Sequence, residues 1–140
     1  CITNQKIMRS LEIIHQQLIT CASVPLQHLI NENFLTIQKI TESQIAEIVK
    51  KRNKLQEYLE TIGFNILKGD ATFYLFVTHP SISDSNNIIS QALDAGLSFV
   101  PGSGYGARYK NFMRVSVGTE SFQKIKIAMD KLLEIILSNR

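Results

Sequence analysis

The sequence predicts an α+β fold, with helices laid on a mostly antiparallel sheet and further helices ahead of it. Three observations carry that reading. Apolar residues recur at helical spacing as far as Gly63, with no glycine before it. The period then changes to short aromatic and β-branched runs. From the long central helix onward the order is helix, two strands, helix, two strands, helix, which suits helices packed on one sheet.

Ile7, Leu11, Ile14 and Leu18 mark one side of a first helix from about Asn4 to Thr20. Pro25 interrupts, and Leu26, Leu29 and Ile30 carry a second, short helix to about Phe34. Thr41 with Gln44 has the capping-box spacing that satisfies free amides at a helix start. A separate long helix is therefore expected from there to Gly63, with Ile45, Ile48, Val49, Leu55, Leu59 and Ile62 on one face. Phe64–Leu67 and Thr72–Val77 read as strands parted by a turn at Lys68-Gly69-Asp70. Pro80 and the polar stretch through Asn87 open a helix that closes at Gly96, and Leu97–Val100 reads as a third strand. A glycine-rich loop leads to a fourth strand within Phe112–Val117, where Val115 and Val117 share a face and Met113 and the Ser116 side are directed differently. Phe122, Ile125, Met129, Leu132, Leu133 and Ile136 line one side of the last helix, as core positions do.

At 140 residues the chain has room for one domain with a core and not for two. Residues 1–36 are expected to be a helical remnant of another domain, and residues 37–140 the α+β domain. The opening Cys1-Ile2-Thr3, without an initiating methionine, reads as the end of a buried strand in a piece cut from something longer.

A hydrophobic share of 44% with 19% charged residues is that of an ordinary soluble chain. The net charge is only +3 and the basic residues form no stripe, so neither nucleic acid nor a membrane surface is indicated as a partner. No apolar stretch approaches bilayer length and the first residues lack a signal-peptide layout, so a cytoplasmic location is expected. Cys1 and Cys21 lack disulfide or metal-clip spacing, and His15, His28 and His79 are too scattered for a metal site.

The candidate site lies in Leu97–Thr119. Five of the seven glycines fall between Gly96 and Gly118, so unusual backbone turns are concentrated there. Arg114 follows this loop on an otherwise apolar strand, which fixes the direction of its guanidinium and suits a bidentate grip on a carboxylate. An arginine on a short strand is also a common solvated rim residue. The Pro-Gly-Ser-Gly-Tyr-Gly loop just before it is what lends the functional reading weight, because such a loop lets backbone approach a ligand closely.

The stretch KKRNKLQEYLETIGFNILKGDATFYLFV resembles the arginine-rich helix, Gly-Phe break and following strand of class I/II aminotransferases, the fold-type I pyridoxal-phosphate enzymes. VPGSGYGARYKNFMRVSVGTESFQKIKIAMDKLLEII is similar to that family's closing Pro-Gly-Ser loop, aromatic-Gly pair, Arg-x-Ser strand and C-terminal helix. Upstream, Thr20 to Gln27 is similar to the segment where the family's large domain turns back. The resemblance covers essentially the whole chain. It implies that residues 1–36 are a remnant of the large cofactor-binding domain and residues 37–140 the small C-terminal domain.

It also implies that Arg114 binds the substrate's α-carboxylate and that Tyr105 and Gly106 lie at the mouth where the small domain closes; turn and packing roles remain open for both. Amino acids and 2-oxo acids are the implied substrates, pyridoxal 5'-phosphate the implied cofactor, and a homodimer the implied assembly. Relatives hold the cofactor on a lysine in a Ser-x-x-Lys-like segment; the resemblance aligns the first residues here just after that place, so no lysine of this sequence is given the role. The expectation is thus the C-terminal piece of an aminotransferase, without catalytic residues of its own and inactive alone. Val100 stands where the histidinol-phosphate branch commonly carries an arginine, while Arg114-Val-Ser-Val-Gly-Thr looks like that branch, so the substrate stays open. A lyase or decarboxylase on the same fold, or an effector-binding domain of a transcription regulator, are the alternatives.

Overall fold

The computed structural model describes residues 3–139. The strand end expected at Cys1 and Ile2 lies outside them. Helix α1 (Gln5–Leu18) begins where the Asn4 side chain accepts the Ile7 amide at 3.0 Å. Helix α2 (Val24–Thr61) follows. The chain divides into two compact units, up to Ser43 and from Gln44.

In the first unit no described residue is buried. The apolar stripe of α1 exists as expected, but Ile14 and Leu18 are 54% and 77% exposed. The break expected between Phe34 and Thr41 is absent, because α2 runs through it. Thr41 is an interior helix residue whose hydroxyl donates to the carbonyls of Ile37 and Gln38, both at 3.0 Å. With no glycine or proline between Leu26 and Ile62, the hydroxyl satisfies itself against the preceding turn and the helix continues. Pro25 sits in the first turn of α2, where a missing N–H costs nothing.

The second unit carries one sheet of four strands: β1 (Asn65–Ile66), β2 (Tyr74–Thr78), β3 (Val100–Pro101) and β4 (Met113–Ser116). Their order is β1-β2-β4-β3 and every pairing is antiparallel. Helices α3 (Ser85–Asp94) and α4 (Phe122–Ser138) complete the α+β unit. The expected strands are shorter than read. Leu97 donates its amide to Ala92 at 2.8 Å to finish α3, so β3 starts only at Val100.

Leu75 and Val77 of β2 face one way with Met113, Val115 and Val117. They meet Leu55 and Leu59 of α2, Ala92 of α3, and Met129 and Leu132 of α4 in a single buried cluster. Met113 is therefore on the Val115 and Val117 face, contrary to the expectation, as a two-residue period requires. Arg52 of α2 is buried and donates from Nη1 to the carbonyls of Ala71 and Thr72, each at 3.0 Å, pinning the β1–β2 loop. Lys51 donates to Gly118 and Glu120 carbonyls at 2.9 and 2.8 Å, fastening the turn after β4.

Candidate functional site

Alternation in β4 sends Arg114 away from the core, onto the open face of the sheet. Its direct cross-strand partners are Phe76 on β2 and Val100 on β3, so the guanidinium starts from a strand hydrogen-bonded on both sides. The Arg114 Cζ lies 4.1 Å from the Tyr74 ring centroid, and Nη1 donates to the Tyr105 hydroxyl at 2.8 Å. Stack and hydrogen bond together leave little rotamer freedom to a side chain that is otherwise among the most mobile.

The loop before β4 is two short 3-10 turns, Gly102–Tyr105 and Ala107–Tyr109, joined at Gly106. Gly106 has φ +124° and ψ 152°, a conformation essentially closed to side-chain-bearing residues. Gly102 is buried and donates to the Phe112 carbonyl at 2.8 Å. A Cβ there would stand 2.1 Å from the Tyr109 carbonyl oxygen and 2.7 Å from that of Phe112. These two glycines bring Tyr105 and Tyr109 over Phe76, each edge-on with ring centroids 5.4 Å apart.

The structure thus brings together Arg114 and Tyr105; Gly106 contributes backbone shape alone. An open cleft of about 340 Å³ adjoins them, lined among others by Gln56, Lys68, Thr72 and Tyr74. Its lining holds two cations, Lys68 and Arg114, and no acid. Among the described residues the ion pairs are Lys124–Glu120 and Lys126–Asp130, so no protein carboxylate neutralises Arg114. The arrangement can orient a bound carboxylate. Sequence reasoning missed Tyr74, Phe76 and Tyr109; the signal was Tyr74 and Phe76 alternating with Leu75 and Val77, but their link to Arg114 needs the cross-strand register.

The family model of aminotransferase class I and II matches residues 1–132. The chain belongs to the class I and II aminotransferases. Among aminotransferase relatives, it is 32% identical over 95 residues to an LL-diaminopimelate aminotransferase of Natranaerobius thermophilus, covering 64% of this chain and 24% of that protein. A probable aspartate aminotransferase of Methanocaldococcus jannaschii is 26% identical over 122 residues, 87% of this chain and 32% of its own length. In fold, the chain is similar to a Pyrococcus horikoshii kynurenine aminotransferase solved with PMP, at TM-score 0.73 and 24% identity, covering 96% of this chain and 35% of that one. The chain spans between about a fifth and a third of the length of these curated aminotransferases.

The Arg114 cleft does not itself fit the family's cofactor. Pyridoxal phosphate needs an acid against its ring nitrogen besides an amine and phosphate donors, and the lining offers no acid. A carboxylate fits it. Among the described residues no group of three or more potential metal ligands occurs. No helix there is long and apolar enough to cross a membrane.

Proposed function

We propose that this chain is the substrate-carboxylate arm of a pyridoxal-phosphate-dependent aminotransferase, with Arg114 binding the α-carboxylate of an amino acid or 2-oxo acid. The observation that carries it is a guanidinium held on an inner strand, stacked on Tyr74, hydrogen-bonded to Tyr105 and given no acid by the described residues. Holding both carboxylate oxygens fixes the substrate's orientation, which is what makes a reacting bond productive. Tyr105 acts as a positioning residue for the fork, and Gly106 shapes the mouth of the cleft. The proposal includes residues 1–36 as part of the large domain, residues 37–140 as the small domain, and a cytoplasmic homodimer. Pyridoxal phosphate, held by the remainder of that longer protein, would supply the electron sink for amino transfer. The matched relatives carry aminotransferase names, which favours this over a lyase, a decarboxylase or an effector-binding domain.

The test is Arg114→Lys in the full-length enzyme, which keeps charge and loses the planar fork. Loss of such a charge-assisted pair is worth about 2–4 kcal/mol, so kcat/KM for α-amino acids should fall about thirtyfold to a thousandfold. Amines without a carboxylate should change less than about threefold. Equal losses for both would exclude the carboxylate role.

A further inference from the structure

In the second unit, Thr72 is the only described residue other than glycine with a positive φ, at +67°. A β-branched residue adopts that left-handed conformation only where its surroundings hold it there. Two sets of contacts do so. The Thr72 Oγ1 accepts the Tyr74 amide at 3.1 Å, closing a turn onto the start of β2. The carbonyls of Ala71 and Thr72 accept from Arg52 Nη1, each at 3.0 Å. Arg52 is 8% exposed, is in no ion pair with a described acid, and has a buried Nε without a hydrogen-bond partner. A guanidinium buried on those terms is a poor device for stability, because its desolvation is only partly offset. What it delivers is the geometry of residues 71 and 72.

That geometry reaches the site. Thr72 and Tyr74 both line the cleft, and the Tyr74 ring centroid lies 4.1 Å from the Arg114 Cζ. Register puts Tyr74 opposite Ser116, so its ring meets Arg114 on the diagonal, and a small rotation at the first residue of β2 would move it away. We propose that Thr72, clamped by Arg52, is a positioning residue for carboxylate binding: its left-handed turn sets the Tyr74 ring that orients the Arg114 fork. The inference rests on the reading of Arg114 as the carboxylate anchor.

The experiment is a double-mutant cycle in the full-length enzyme, read as KM and kcat for an α-amino acid and for an amine without a carboxylate. Thr72→Val removes the acceptor, and Tyr74→Leu removes the ring. Each should raise KM for the amino acid about five- to tenfold, leaving kcat and the KM of the amine within about twofold of the parent. Thr72→Asn, which tolerates the left-handed region and accepts the same amide, should return most of the loss. Arg52→Met should repeat Thr72→Val, and Arg52→Lys should recover part. Thr72 is exposed, so its variants decide the question even if Arg52→Met does not fold. Thr72→Val combined with Tyr74→Leu should cost no more than either alone. An unchanged amino-acid KM in Thr72→Val, an equal loss toward the amine, or effects that multiply in the double variant overturn the relay. If Arg114→Lys costs amino acids and spares amines while Thr72→Val is silent, the anchor stands and the relay falls. If Arg114→Lys costs both substrates alike, both readings fall.

Discussion

The hydroxyl of Tyr105 ties Arg114 to the glycine loop by a side-chain hydrogen bond. Tyr105→Phe removes it while keeping the ring on Phe76 and the stack on Tyr74. A hydrogen bond of this kind contributes about 1 kcal/mol, so KM for amino acids should rise about fivefold with kcat little changed in steady-state measurements. Gly102 has a different responsibility. Because the atoms a Cβ would strike are backbone carbonyls, the loop itself has to move, and Gly102→Ala should cost about 1–3 kcal/mol of stability by urea denaturation. Arg114 and Tyr105 could be named as candidates from the sequence because the family resemblance points to them and the glycines mark the loop, and the structure puts the two in contact. Tyr74, lying under the guanidinium, was not, since its diagonal relation to Arg114 depends on pairing Tyr74 with Ser116.

Most elements could be read from periodicity, and the helix break expected ahead of Thr41 fails for a local reason. Thr41 has the right neighbours for a cap, yet a hydroxyl bonded to the previous turn is equally content inside a helix. Thr41→Ala separates the two: loss of a true cap costs about 1 kcal/mol, whereas here thermal unfolding should be unchanged or slightly raised, alanine being the better helix former. Between α2 and α4 the Tyr58 hydroxyl donates to Asp130, and Lys126 pairs with the same carboxylate at 2.8 Å while lying over the Tyr58 ring. The Lys126 and Tyr58 hydrogen bonds hold the Asp130 carboxyl below its ordinary 3.8, so its contribution is present above that value and is lost as pH falls through the lowered one. The bond to Asp130 raises Lys126 above 10.5, so its share is full below that value and is lost as pH rises through the raised one. Denaturation midpoints followed against pH should therefore lose part of their acid limb in Asp130→Asn, with little change from the pairing between about pH 5 and 9. An acid limb identical to the parent's would show that the cluster carries no stability.

At the scale of the molecule, burial among the described residues is confined to those from Arg52 onward. A 14-residue helix with no buried side chain has no packing to sustain it, so α1 amides should exchange near unprotected rates in residues 1–140 alone, while those of β2 and β4 stay slow. Strong protection across α1 would contradict this. The same preparation tests the cofactor assignment: borohydride reduction with pyridoxal phosphate should leave no saturable, stoichiometric adduct, even at Lys68, which shares the cleft with Arg114. A single labelled lysine with transaminase turnover would sink it. Strand order has one further consequence. The edge strand β3 is only two residues long and leads straight into the loop that carries both tyrosines, whereas β4 is clamped between neighbours. Drift in residues 100–109 alters what the cleft admits while the root of the Arg114 side chain stays where it is. On the proposed function, the anchor and the rim of the cleft therefore sit on separate stretches of chain, and variation in one short edge can reach the rim without entering the strand that carries the anchor.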